Sequence, residues 1–292
     1  LWNISGGLTS GYMLRLGMAA HGGRLPRDHH VVFTNTGRER PETLDFLAEM
    51  QSRWGVNLRW LEYRTDAPDG WTEVDRETAS RNGEPFADLI ESRSYLPNAV
   101  TRFCTVALKI KVAAAFMRAE GYDRWTSVVG LRRDEEDRVL KLRARDHGEW
   151  DVACPLYDAG VAKSGVNAFW LKQPFRLDLQ SWEGNCDLCF LKGRKVRERI
   201  MRDHPELVGW WASQESAIGG RFHAHEPGYA ETLARVRRLP LLPMDLDAEA
   251  MRCTSGACTD RRPRPRHVDP QADAAVAALV YARTGETASE AA

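Results

Sequence analysis

Near its start the chain carries Ser5-Gly6-Gly7-Leu8-Thr9-Ser10. Two adjacent glycines let a backbone take positive φ and approach a ligand closely, and Ser5, Thr9 and Ser10 add hydroxyl donors. A strand before this loop and a helix after it would add unpaired N–H groups and the positive end of a helix dipole. Such a turn wraps a phosphate or pyrophosphate; the plainer reading is a tight strand-to-helix connection with a helix cap. It is not a Walker A loop, since no Gly-Lys-Ser/Thr follows, and not a G-x-G-x-x-G dinucleotide turn.

Six cysteines form the second group of chemistry-bearing residues. Cys186-Asp187-Leu188-Cys189 is a C-x-x-C pair whose spacing lets two sulfurs face one ion. Cys253 and Cys258 form a looser pair. Three readings stand side by side. A [4Fe–4S] cluster takes Cys104, Cys186, Cys189 and one of Cys253 or Cys258, with Cys258 the expected fourth ligand. A structural zinc takes Cys186, Cys189, Cys253 and Cys258. Otherwise the thiols only pack or cycle through a disulfide. Cys154 reads as a small buried hydrophobe.

Weaker signals follow. His223-Ala224-His225 could ligate a metal but reads as an exposed loop, and His29-His30 are expected to face solvent. Trp210-Trp211 could stack on a base, with burial the favoured reading. Lys192, Arg194, Lys195, Arg197, Arg199 and Arg202 lie along one helical stretch, either as a solvated face or as a track for a phosphate backbone.

The elements that must position these groups are legible in part. Trp2–Ile4 is strand-like, and Gly11–Ala20 carries Tyr12, Met13, Leu16 and Met18 in a helical pattern. Val31-Val32-Phe33 is a short apolar run of the kind found in buried parallel strands. Pro41 opens a helix with Leu44, Leu47 and Met50 on one face. Leu58–Tyr63 and Trp125–Leu131 read as strands, with a helix over Thr105–Ala119 between them. This alternation predicts a parallel α/β sheet with crossover helices. Past Trp150 the pattern breaks into short helical stretches, Val166–Leu171 and Lys192–Asp203. Arg261–Arg266 reads as linker and Ala272–Ala292 as an Ala-rich tail. The expected division is 1–150, a nucleotide-binding α/β domain; 151–260, a helical cysteine-containing region; and 261–292, linker and tail.

With 292 residues, 43% apolar and 28% charged, the composition is that of a globular protein. Lys plus Arg and Asp plus Glu are 41 each, so a protein that coats nucleic acid through bulk positive charge is excluded, although a local basic patch is not. No apolar run reaches the ~18–20 residues of a membrane helix. No charged n-region or long apolar h-region is visible at the start, so the expectation is no signal peptide, with reduced thiols and a cytoplasmic location. The chain opens inside a strand without an initiator Met, which implies residues upstream.

The loop does not stand alone. Val31-Val32-Phe33-Thr34-Asn35-Thr36-Gly37, followed by Glu39, Pro41, Glu42 and Thr43, resembles the second strand and F-x-x-T-G…x-E-T continuation of the PP-loop ATP pyrophosphatases, in their branch of PAPS reductase-like proteins (the adenine nucleotide α-hydrolase superfamily). Arg102-Phe103-Cys104-Thr105 with Leu108-Lys109 resembles that family's R-x-C-T…L-K segment, and Gly130-Leu131-Arg132-Arg133-Asp134-Glu135 with Arg138 its G-x-R-x-D-E…R strand end. The resemblance implies a parallel, doubly wound α/β sheet with a smaller, mostly helical, cysteine-bearing C-terminal region.

It also implies an enzyme that splits ATP between its α and β phosphates, adenylates an acceptor and lets a second nucleophile displace AMP. Ser5, Gly6, Gly7, Thr9 and Ser10 would hold the pyrophosphate, and Thr34, Asn35 and Thr36 would lie against the adenosine, largely through backbone groups. Gly130 and Arg138 would complete the nucleotide site. Lys109 and Arg132 would supply charge, and Asp134 with Glu135 would hold Mg²⁺. Leu8 and Thr9 stand where many members have Lys and Asp, so the phosphate charge must be met from elsewhere. The expected function is an ATP-dependent, AMP-forming sulfurtransferase acting on nucleic acid or a nucleotide-like acceptor, supplied by a sulfur donor protein. The alternatives are a sulfonucleotide reductase, whose C-terminal Glu-Cys-Gly-Leu/Ile-His segment this chain lacks, and a nucleotide-binding module without turnover.

Overall fold

In the computed structural model the described residues are 1–238, without Ser181 and Asn185, together with Ala278. Cys253, Cys258, the Arg/Pro run and most of the Ala-rich tail therefore lie outside the described residues.

Six strands form one sheet in the order β4-β3-β2-β1-β5-β6. These are β1 (Trp2–Ile4), β2 (Val31–Asn35), β3 (Leu58–Tyr63), β4 (Trp71–Val74), β5 (Trp125–Val129) and β6 (Trp150–Ala153). All neighbours are parallel except β3 and β4, which pair antiparallel with Trp60 opposite Val74. Trp2 of β1 pairs with Val31 on one side and Val128 on the other. The chain thus winds outward from β1 in both directions. The loops leaving β1 and β5 part company at their carboxyl ends, where open α/β sheets bind ligands.

The crossover helices are α1 (Leu8–Ala20), α2 (Pro41–Trp54) and α3 (Glu84–Arg93). A further rod runs through α4 (Phe103–Thr105), a π-helical turn (Val106–Lys111) and α5 (Val112–Ala119). The sequence pattern had this rod as one regular helix from Thr105. The π turn is the addition, and it carries Lys109; wide turns of this kind are frequent at functional sites. Also unforeseen were β4, α3 and α6 (Glu136–Arg143). β4 is a four-residue edge strand with Glu73 exposed, too short for its alternation to register.

Four apolar clusters result among the described residues, two of them large. One fills one face of the sheet with Trp2, Phe33, Leu44, Leu47, Met50 and others, and reaches on to Leu156 of α7 (Pro155–Asp158) and Trp170 of α8 (Lys163–Trp170). The second joins α9 (Arg194–Asp203), α10 (Val208–Ile218) and α11 (Tyr229–Val236) to α3 and the π turn. Packing therefore interleaves the halves: Trp170 belongs with the sheet, while Phe86 and Leu108 belong with the C-terminal helices.

Candidate active site

A cleft of about 1080 Å³ opens between the carboxyl ends of β1, β2 and β5 and the C-x-x-C segment. At its sheet end lies the Ser5–Ser10 loop. Gly6 takes φ +75°, and a Cβ there would sit 2.4 Å from Thr43 Cγ2, so the turn demands glycine. The Ser10 hydroxyl accepts from Ser5 N at 3.2 Å and donates to Gly7 O at 3.0 Å, closing the loop on the first turn of α1. The Trp170 indole donates to Leu8 O at 2.7 Å and braces the far side. Gly130, at the end of β5, passes so close that a Cβ would lie 3.1 Å from Ser10 Cα. Ser5, Gly7, Thr9, Ser10 and Gly130 line the cleft; Gly6 shapes the turn without lining it.

Thr9 has no anionic neighbour in the loop. Its Oγ1 instead accepts from Arg132 Nη1 at 2.9 Å. Arg132 is buried, and its other edge is held by Asp134 through Nε at 3.1 Å and Nη2 at 2.9 Å. Its backbone N–H donates to Glu135, which is also ion-paired with Arg138. Burial works against the Asp134 charge, but the Arg132 guanidinium overcomes it and holds that carboxyl below its ordinary range. The charge missing at Leu8 and Thr9 is thus brought in from the end of β5. Asp134 and Glu135 do not stand free as Mg²⁺ ligands. Asp134 does not line the cleft, and both carboxylates are satisfied by guanidinium groups.

The end of β2 supplies Thr34 and Thr36 to the cleft. Asn35 points elsewhere: fully buried, its Nδ2 donates to Glu62 at 2.6 Å and to Ser80 O at 2.8 Å, so its side chain braces the turn rather than meeting a ligand. Glu39 was quoted in the sequence motif without a role, and the structure provides one. Its carboxylate accepts from Thr36 N at 3.0 Å and from Thr36 Oγ1 at 2.5 Å, and lies 3.4 Å from Lys109 Nζ. Burial lowers the Lys109 ammonium, yet the Glu39 charge and its hydrogen bond raise it above its ordinary value. Lys109 therefore stays charged at the cleft wall.

Cys104, Cys186 and Cys189 form the opposite wall. Glu39 and Cys186 make an antiparallel β-bridge, and Asp187 N donates to Arg38 O at 3.0 Å, pinning the C-x-x-C against the end of β2. A buried ion pair between Arg38 and Asp187 locks this junction, with Trp211 Nε1 donating to Asp187 at 2.8 Å. Cys104 and Cys186 hold their thiol protons tightly. Burial and Cys189 push Cys104 up to about 11, and the bond to Cys189 together with burial raises Cys186 well above its ordinary value. The donor set is soft, as iron–sulfur or zinc would require. Among the described residues, however, no three His, Cys, Asp or Glu side chains are placed to hold one ion, and the fourth ligand of either tetrad, Cys258 included, lies outside the described residues. The described residues do not by themselves build a metal centre.

Other expectations resolve simply. Trp211 is fully buried and Trp210 carries the Arg38 guanidinium 4.9 Å above its ring, so neither is a free stacking platform. His29 and His30 do not face solvent: His29 Nδ1 accepts from Trp2 Nε1 at 3.3 Å and burial pushes it down to about 4, while His30 meets Tyr122 at 3.2 Å. His225 is exposed and His223 is half-buried. On the basic helix Arg194 pairs with Glu198, Arg199 with Asp203 and Arg197 with Glu226, while Arg202 donates to Val236 O. Those cations are committed to the fold rather than forming a phosphate track. No helix among the described residues is long and apolar enough to cross a membrane.

Comparison with known proteins agrees with this geometry. The chain is 29% identical over 214 residues, 70% of each chain, to an uncharacterized nin region protein, ORF290, of Escherichia phage lambda. No solved structure gives a significant match. Residues 1–158, which hold the loop, the Arg132 cluster and the whole sheet, match the phosphoadenosine phosphosulfate reductase domain. The chain belongs to that family, within the PP-loop adenine nucleotide α-hydrolase superfamily.

Proposed function

We propose that this protein is an ATP-dependent, AMP-forming adenylating enzyme that transfers sulfur to a nucleic acid or nucleotide-like acceptor. The observation that carries the reading is Arg132. Arg132 is a buried guanidinium, pinned by Asp134 and donating to Thr9, that stands where the loop meets the cleft. A buried, preorganised cation of this kind stabilises charge as it develops on a phosphoryl group.

Mg²⁺ entering with ATP would supply charge neutralisation along the phosphates. The loop N–H groups and Arg132 take the β and γ phosphates. An acceptor oxygen attacks the α-phosphorus, the bond to the bridging oxygen breaks, and pyrophosphate leaves with that electron pair. A sulfur nucleophile from a donor protein then displaces AMP from the activated acceptor. Lys109, kept charged by Glu39, steadies the α-phosphate side. The thiols facing the same cleft favour sulfur over nitrogen as the second nucleophile.

The test is product analysis with ATP, a sulfide source and single-stranded nucleic acid. AMP and pyrophosphate in equal amounts, with sulfur in the acceptor, are expected. ATP binding without turnover under any acceptor would mark a binding module instead. Sulfite release from a sulfonucleotide with a thiol donor would mark a reductase.

A further inference from the structure

From the cleft wall that carries the thiols we infer that Lys192 forms an oxyanion-binding subsite for the second substrate. Calling that ligand the second substrate rests on the adenylating reading; the subsite itself does not. Lys192 is only 3% exposed, yet it lines the cleft. No described carboxylate or carbonyl pairs with its ammonium, although Arg194, Arg197, Arg199 and Arg202 next along the chain all find partners. Nor is its Nζ among the side-chain atoms sealed from solvent without a partner, so the ammonium borders the cleft space. A buried cation without a counter-charge is costly. A fold retains it where a ligand supplies the missing charge.

The surroundings are built for that ligand. Lys192 N donates to Cys189 O at 3.0 Å, closing a tight turn directly after the C-x-x-C. Arg197 Nη1 donates to Lys192 O at 2.5 Å and to Phe190 O at 3.1 Å, and Glu226 holds Arg197 in turn. The turn is thereby rigid, and the start of α9 follows at once, adding the positive end of its dipole. Arg102, on the same cleft, has a buried Nε without a partner. Half-buried Trp182 lines the same wall and offers a flat apolar surface. A tetrahedral oxyanion, phosphate or sulfate in type, fits this chemistry. It belongs either to a nucleic-acid strand or to a free nucleotide-sized acceptor.

The experiment uses the full chain with the loop saturated by a non-hydrolysable ATP analogue. A 5′-phosphorylated single-stranded decanucleotide and a nucleoside monophosphate are titrated separately by calorimetry. Lys192→Gln should weaken binding of at least one probe about tenfold and reduce its salt slope by about one, while Lys192→Arg retains binding. Loss confined to the decanucleotide identifies a strand, and loss confined to the monophosphate identifies a small acceptor. Lys192→Met should raise the Tm of the ligand-free chain, because an unpaired buried charge is removed; a structural lysine would give a fall. Wild-type affinity for both probes in Lys192→Gln, or a lowered Tm in Lys192→Met, overturns the inference. If the wild type fails to bind the ATP analogue but the Lys192 effects persist, the adenylating reading falls and the subsite stands.

Discussion

The two ends of the cleft solve opposite electrostatic problems. At the sheet end the charges beside the loop are answered inside the protein: Arg132 by Asp134, and Glu135 by Arg138. The result is a preset arrangement that needs no rearrangement when phosphate arrives. At the helical end Cys104 and Cys186 hold their protons tightly and Lys192 stands without a counter-charge among the described residues, while the junction itself is locked by the buried Arg38–Asp187 pair. On the proposed reading, one end is organised before its ligand comes and the other is completed by it; charge at the first would serve rate, and charge at the second both the fold and recognition.

Breaking the junction gives the largest effect expected from this contrast. Asp187→Ala leaves Arg38 buried and unpaired, a change that costs about 3–5 kcal/mol. Urea unfolding should show that loss, and an unchanged midpoint would mean the C-x-x-C is not pinned by this pair. At the sheet end Arg132→Ala should slow pyrophosphate release by ~100–1000-fold, the scale of losing one preorganised donor, with a smaller loss of stability than at the junction, because Glu135 keeps Arg138 and Asp134 is partly exposed. A rate within a few-fold of wild type would remove Arg132 from the chemistry. Gly6→Ala is intermediate. Its φ of +75° and the 2.4 Å approach to Thr43 Cγ2 predict a loss of about 1–3 kcal/mol together with weakened ATP binding, measurable in one thermal titration.

The smallest effect sharpens the description of the thiol wall. With Cys104 raised to about 11 from the ordinary 9.0, its alkylation by iodoacetamide in the native chain should be slow at pH 8 and climb towards pH 11. The folded chain holds this proton more tightly than the unfolded chain. The corresponding stability is therefore complete below about pH 9 and declines as pH rises towards 11. Rapid alkylation of Cys104 at pH 8, read by mass spectrometry, would show a thiolate instead and make the two ends alike.

Much of the sheet end was legible because its signals are local. A glycine pair between an apolar triplet and a helical pattern, Pro41 opening a helix, and Val31–Phe33 as a buried run all act within a few residues. The helical end was less so. Nothing in the spacing of Lys192–Arg202 distinguishes a solvated stripe from one in which Arg197 is buried against Phe190 O and Glu226 while Lys192 turns to the cleft. Asn35 shows the same limit: its position beside Thr34 and Thr36 is a matter of sequence, but strand alternation and Glu62, 27 residues away, turn its amide from the cleft.

The amino-acid sequence alone thus determined the loop, four of the six strands and the residue types that could meet a nucleotide, since these depend on backbone preference and periodicity; the strand order came from the structure. Only the tertiary structure decided which charges are answered and which are left open. Pairing Arg132 with Thr9, Arg38 with Asp187 and Glu39 with Lys109 requires segments 70 to 149 residues apart to meet, and no local propensity encodes that meeting.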